Sequence, residues 1–390
     1  MINIKKDYFK LSQEDFNQKL NNLINDEMTY HFFNNEYHFI PTKETNELIL
    51  AMHIKQLTID NFVEKLDEFK KKQLINTFIV EEIKTTNKIE NIHSTRHDIF
   101  SLINNVNSVN DKHIKSILQA YNLLDFEITD IYSIRSLYDL MMKDSFKSND
   151  DKPDGKIFRK ENVEISDGLN SFHKGFYPES KIIDAMKECL SFYNNNNSIN
   201  IYERLIISHF LLETIHPFYD GNGRLGRLLF SKSLFKESNS VLSYAISYSI
   251  NQNKQKYYNA LQSGRNRYSF GFINDYFMDM SNILLSGFDK VYNDLLNKNE
   301  IYNNNLNKLK LSSSEQKIYE ILLWCSYFTH FGISNKGIIE YTNLSKRTVI
   351  NAINQFKADE LLVDSKFGRE IYHKLDLTKL IWAIFNVKVQ

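Results

Sequence analysis

Cysteine, proline and glycine are scarce in this chain, at 2, 4 and 12 of 390 residues. Cys189 and Cys325 lie far apart and without metal-ligand spacing, which excludes a disulfide framework and fits a reducing cytosol. With so little proline and glycine, long helices and few tight turns are expected. Net charge is absent as well: Lys plus Arg and Asp plus Glu stand at 48 each. No global field therefore recruits nucleic acid or a membrane surface. No apolar run approaches the ~20 residues of a membrane span, and Met1 to Lys10 alternates polar with apolar residues. A cytoplasmic protein is expected. What the chain has in quantity is hydrophobic (42%) and aromatic (13%) residues, ample for two or three packed domains.

One stretch organises the rest, Thr214-Ile215-His216-Pro217-Phe218-Tyr219-Asp220-Gly221-Asn222-Gly223-Arg224-Leu225-Gly226-Arg227. Before it, Leu205, Ile206, Phe210, Leu211 and Leu212 recur at helical spacing, and Pro217 disfavours helical geometry at His216. The helix is expected to stop at the histidine. After it, Leu225, Leu228, Leu229 and Leu234 resume the helical period, leaving Pro217 to Gly223 as a short loop that feeds a new helix. Gly221 and Gly223 let the backbone bring its N–H groups close to a ligand, and the helix start adds free donors and a positive dipole end. Arg224 and Arg227, neighbours on one face, oppose that dipole by about 0.3–1 kcal/mol each, a cost an anion would offset. A carboxylate at Asp220 suits Mg²⁺ bridging to phosphate oxygens, and His216 suits a general base near neutral pH.

Residues 216–227 resemble the full signature of the Fic family, HxFx(D/E)GNGRxxR, with every fixed position filled. The resemblance implies an all-α Fic/Fido helical core and transfer of AMP from ATP to a Tyr, Ser or Thr hydroxyl of a protein, pyrophosphate leaving. It implies that Gly221, Asn222, Gly223, Arg224, Leu225, Gly226 and Arg227 hold the nucleotide phosphates. Asn222 would stabilise the α-phosphoryl, Arg227 would anchor the γ-phosphate, and Asp220 would hold Mg²⁺. The related Doc toxins, which phosphorylate, carry Ala and Lys where this chain keeps Gly221 and Gly223, so the glycines favour nucleotidyl transfer.

Upstream, an aromatic patch of Tyr30, Phe32, Phe33, Tyr37 and Phe39 reads as core packing. From Asn61 a helical pattern begins, and Ile79, Ile83, Thr86 and Glu90 fall on one face. Burying Glu90 there costs several kcal/mol unless a cation meets it; by itself it reads as a partly exposed helix-end acid. Thr86-Asn87-Lys88-Ile89-Glu90-Asn91 is similar to the inhibitory motif (S/T)xxxE(G/N) of Fic proteins, which implies that Glu90, with Thr86, pairs Arg227 and keeps ATP from its productive pose. Residues 114–124 and 134–141 read as amphipathic core helices, Lys147 to Pro153 as a loop, and Val163 to Tyr177 as a hairpin broken at Asp167-Gly168. In Fic proteins a hairpin flap in this place docks the target segment, here near His173 to Pro178, with His173-Lys174-Gly175 as its tip. Tyr193 to Ser198 is a polar turn. Tyr257-Tyr258 resembles the Tyr-rich segment that closes Fic nucleotide pockets, with Tyr258 placed to stack on the base.

An Asn-rich stretch, Asn297 to Asn307, reads as a linker. Beyond it, helices over 314–328, 335–341 and 346–360 are expected, the last capped by Ser345 with Val349, Ile350, Ile353 and Phe356 inward, then a hairpin around Phe367-Gly368. Three helices and a hairpin resemble a winged helix. The expected division is thus 1–105, a helical region with the inhibitory helix; 106–295, the Fic core; and 310–390, a winged-helix-like domain. Residues 311–390 carry ten Lys or Arg against eight Asp or Glu, a thin positive balance for DNA. Target docking or homodimerisation competes with DNA binding for this domain. Three alternatives stay open: an enzyme that also removes AMP, one that takes a different nucleotide, and a DNA-binding regulator with a vestigial core. ATP, a hydroxyl-bearing protein target and the chain itself are the expected partners.

Overall fold

The computed structural model describes residues 4–104, 112–123, 126–146, 152–166, 171–195 and 199–386. The chain opens with helices α1 (Ile4–Lys10) and α2 (Gln13–Ile24), then strands β1 (Tyr30–Phe32) and β2 (Tyr37–Phe39). Five helices follow: α3 (Lys43–Glu64), α4 (Glu68–Ile89), α5 (Arg96–Ile103), α6 (Lys112–Asn122) and α7 (Ile131–Met142). Strands β3 (Glu164–Ser166) and β4 (Ser171–Lys174) precede α8 (Glu179–Tyr193), α9 (Ile201–Ile215) and α10 (Asn222–Ser238). Next come α11 (Ile246–Gln252), α12 (Lys254–Arg265), α13 (Asn274–Asn305) and α14 (Ser313–Phe328). The chain continues through β5 (Ile333–Ser334), α15 (Asn335–Thr342), α16 (Lys346–Ala358), β6 (Leu362–Phe367), β7 (Glu370–Leu375) and α17 (Leu377–Asn386). It is mostly helical, with small antiparallel hairpins. No helix among the described residues is long and apolar enough to cross a membrane.

Two compact units divide the chain. One gathers Met1–Asp60, Glu81–Ser94 and Lys112–Asp289; the other gathers Asn61–Val80, Thr95–Asp111 and Lys290–Gln390. In the first, α9 is the central element, buried on every side from Tyr202 to Ile215, as a helix apolar all round must be. It packs against α8 and α10. In α6 and α7, Ile114, Ile117, Leu118, Tyr121, Ile134, Leu137 and Met141 are buried as their spacing predicts, while Leu124 lies outside the described residues. Asp130 caps α7, its carboxylate accepting from the backbone of Tyr132 and Ser133.

The aromatic patch near the N-terminus folds as a hairpin, β1 pairing β2 in the register Tyr30 to Phe39. Its reversal runs through Asn34 and Asn35 at φ 55° and 67°, the left-handed conformations that a tight hairpin turn requires and asparagine tolerates. Phe32, Phe33 and Phe39 are buried. The later hairpin pairs β3 with β4, Glu164 opposite Lys174. That register corrects one expectation: Lys174 stands at the end of the hairpin away from its reversal, so 173–175 is the base and not the tip. The reversal itself, 167–170, lies outside the described residues, as do 147–151 of the expected loop and 196–198 of the polar turn.

In the second unit, α14, α15 and α16 accompany a three-stranded sheet ordered β5-β7-β6. Ser345 caps α16 by accepting from the Thr348 amide, and β6 meets β7 across Phe367 and Glu370. Val349, Ile353 and Phe356 are buried, but Ile350 is 36% exposed; it falls one position past the stripe. Asn297 to Asn307 is not a linker up to Asn305, because α13 runs through it. Leu295 just before that stretch and Tyr302 within it are buried, and their packing overrides the weak helix propensity of asparagine.

Candidate active site

The loop between α9 and α10 is held from several sides. His216 ends α9 in the left-handed conformation, φ 52° and ψ 62°, its N–H donating to the Leu212 carbonyl at 2.9 Å. Gly221, at φ 83°, stands before α10, where a Cβ would lie 2.8 Å from the Met142 sulfur. Asn222 turns its amide back on the loop: Oδ1 accepts from the Phe218 N–H at 3.0 Å and Nδ2 donates to the Phe218 carbonyl at 2.8 Å. Phe218 stacks on Tyr138 with centroids 3.5 Å apart, and the Tyr138 hydroxyl donates to the Asp220 carbonyl at 2.9 Å. Arg159, fully buried, donates from Nε to the His216 carbonyl at 2.9 Å and from Nη2 to the Phe176 carbonyl at 2.8 Å. It thereby fixes the backbone that carries the histidine and the chain leaving β4.

Arg227 is 1% exposed and meets the last turns of α4. Its Nε donates to Thr86 Oγ1 at 2.9 Å, and its Nη2 donates to Glu90 Oε1 at 2.7 Å. One turn further along α10, Ser231 donates to Glu82 Oε1 at 3.2 Å. In the opposite direction, a Cβ on Gly223 would lie 2.6 Å from Glu90 Oε1. Residues 82, 86 and 90 thus face 231, 227 and 223, an antiparallel polar seam stepping by four on each helix. Glu82 is fully buried and also accepts from Tyr121 OH and from the Ser247 amide and hydroxyl. Burial pushes the Glu82 pKa up in spite of these donors and Arg227.

Burial also works against a charged Glu90, but Arg227, Arg224 and Lys254 outweigh it and hold its carboxyl below the ordinary glutamate value. On the partner, burial would release the proton of Arg227, yet Glu90 and Tyr257 drive its pKa above the usual arginine value. Both directions describe a charged, desolvated pair.

A cavity of about 770 Å³ collects His216, Gly223, Arg227, Glu90, Glu213 and Tyr258 on its walls. All but Glu213 were singled out in the sequence; Tyr257 lines the same cavity, and Thr86 is joined to it through Arg227. Arg224 is buried, with Nη2 on Asp220 Oδ2 at 3.0 Å and Nε and Nη1 without hydrogen-bond partners. Arg227 falls in the second turn of α10, not the first. Leu225 is core, and Gly226 packs against His209 and Glu213, where a Cβ would lie 2.9 Å from His209 Nδ1. Of the adjacent tyrosines, Tyr257 is buried and donates toward or accepts from His209 Nε2 at 2.9 Å, while Tyr258 is 39% exposed and faces the cavity. Arg159, Glu82 and Glu213 escaped the sequence reading. A charged residue inside the apolar helix α9 was the available signal for Glu213; Glu82, in the charged helix α4, offered none.

With this geometry in hand, three comparisons bear on the chain. Residues 128–234 match the Fic/DOC family. The matched segment takes in the whole His216 to Arg227 loop. A protein of Aquifex aeolicus (strain VF5), named as a probable protein adenylyltransferase, is 34% identical over 85 residues. That match covers 22% of this chain and 24% of the Aquifex protein, so the chain spans about a quarter of the length of the curated relative it matches. The crystal structure of a Fic family protein from Desulfovibrio desulfuricans G20 aligns over 86% of this chain and 96% of that one, with a TM-score of 0.54 at 17% identity. The helical fold with its small hairpin is therefore shared with a Fic family structure.

Proposed function

We propose that the protein is an adenylyltransferase that moves AMP from ATP to a hydroxyl of a protein and is held in check by Glu90. The observation that carries this reading is one cavity in which His216, the start of α10 and Arg227 converge while Glu90 occupies the guanidinium. A triphosphate entering it meets the Arg227 charge and the uncapped amides of α10. His216 takes the proton from the incoming hydroxyl, whose oxygen bonds to the α-phosphorus as the bond to the pyrophosphate oxygen breaks. The products are an AMP–protein phosphodiester and pyrophosphate.

Asp220 suits Mg²⁺ as substrate counter-ion. Its carboxylate is 57% exposed and keeps lone pairs beyond those used by Arg224 and the Gly221 amide. One carboxylate fits an ion that completes its shell with phosphate oxygens and water, and no cluster of three or more metal-ligating side chains exists among the described residues. When bound, the ion would neutralise phosphate charge. Residues 310–390 are read as a winged-helix module, and 173–178 as the edge that docks the target backbone.

With Arg227 engaged by Glu90, the γ-phosphate loses the arginine that this reading assigns to it. The Glu90→Gly variant, incubated with Mg²⁺ and ATP, is expected to gain mass corresponding to AMP on itself or on an added target faster than the natural chain. Equal rates, measured by mass spectrometry, would discard the inhibitory role; no gain in either protein together with no ATP binding would discard the transferase.

A further inference from the structure

Glu213 has no part in the mechanism above, yet it lines the same cavity as Arg227 and His216. Its residue is 7% exposed, and Oε1 is buried with no hydrogen-bond partner. A carboxylate left so is costly, whereas a protonated carboxyl is tolerated. The space it occupies exists because position 226 is glycine: a Cβ there would lie 3.2 Å from Glu213 Oε1 and 2.9 Å from His209 Nδ1.

Charged and titratable groups surround it from every neighbouring element. Arg227 approaches from α10, Arg265 with Tyr257 and Tyr258 from α12, Tyr276 from α13, and Glu90 from the end of α4. On its own helix, His209 is held neutral at a pKa of about 3 by burial and then by Arg227. Burial raises Glu213 and the two arginines oppose it, with Glu90 adding to the rise, so that the carboxyl titrates at about 7. A polyphosphate brings several further negative charges and draws on the same arginines. Its arrival must favour the neutral carboxyl.

We propose that Glu213 binds a proton as a nucleotide polyphosphate enters the cavity, so that the site takes up the two together. The inference rests on the nucleotide reading above. Its sign follows from the direction of the shift. In the empty site Glu213 is charged above about pH 7; in the complex it stays protonated to higher pH, so protons are taken up between those two values and affinity falls as pH rises through that window.

The test is calorimetry of α,β-methylene ATP with excess Mg²⁺ binding to the Glu90→Gly chain at pH 7.5 and 8.5, in pairs of buffers that differ in ionisation enthalpy. This range lies above the titration of the nucleotide itself. The expected result is net proton uptake, with affinity falling by up to about tenfold per pH unit, the limit for one proton. In Glu90→Gly/Glu213→Gln, which fixes the neutral form, uptake vanishes and affinity is independent of pH. Binding without proton uptake, or the same uptake in the Gln variant, overturns the proposal while leaving the nucleotide site standing. Absence of binding in both proteins overturns the nucleotide reading itself. The proton count in Glu90→Gly alone decides the matter should the double variant not fold.

Discussion

The helices α16 and α10 each carry a pair of basic residues within their first two turns, and the chain treats the two pairs in opposite ways. At α16, Lys346 and Arg347 are exposed, and Ser345 satisfies the helix start with its own hydroxyl. At α10, Arg224 and Arg227 are each 1% exposed, and the cap residue, Gly221, has no side chain to offer. The first arrangement is complete in water. The second leaves amide donors open and buries two cations, and the fold supplies Asp220 to one and Glu90 to the other. Sequence alone makes the two starts look alike. Desolvation separates them, because a buried guanidinium must be matched by an anion, from within the chain or from a ligand.

The sharpest way to break that contrast is at the histidine. Placing His216→Ala in the Glu90→Gly chain should lower AMP transfer by about 10²–10⁴-fold, the range for a general base, with the circular dichroism of the helices unchanged. Residual transfer within a factor of a few would move the base elsewhere. Next comes the seam between α4 and α10. Removing the Glu82 carboxylate in Glu82→Ala strands the Tyr121, Ser231 and Ser247 donors in a dry core, which should cost about 2–4 kcal/mol in a urea titration. A shift in the midpoint too small to detect would mean that water repairs the site. Loss of the charged pair in Glu90→Gly, whose acid is 30% exposed, should raise modification by about tenfold or more, since a hydrogen bond between charged groups is worth about 1.5–3 kcal/mol. The smallest effect is reserved for α16: Lys346→Ala and Arg347→Ala should each stay within about 0.5 kcal/mol of the natural stability. Should the same pair weaken binding to duplex DNA, and should that binding fall steeply with salt, α16 would prove to be a phosphate-contacting helix after all.

Where a local rule decided the outcome, the sequence was legible. Pro217 forbade helix at His216, and α9 ends there; Ser345 and Phe367-Gly368 marked a cap and a reversal that the structure contains. Asn34-Asn35 between two Tyr-His-Phe triplets carried the hairpin signal as plainly, but aromatic content drew the reading toward core packing instead. The Asn-rich end of α13 failed for the converse reason: composition spoke for a linker while Leu295 and Tyr302 supplied the buried stripe. The site itself divides along the same line. Residues 216–227 could be read because they are contiguous. Arg159 and Glu82 could not, since each owes its role to groups from segments distant in the chain. Glu82 in particular follows Glu81, and two adjacent acids resemble a solvated face until Ser231 and Ser247 are seen opposite.

Because the seam repeats every four residues on both of its helices, the restraint on Arg227 depends on counting as much as on chemistry. One residue inserted between Glu82 and Glu90 would rotate everything beyond it by about 100° and swing the acid away from the guanidinium while Glu82 stayed anchored. Under the function proposed above, a single codon gained or lost in α4 would free Arg227 from Glu90 while every residue from His216 to Arg227 stayed untouched.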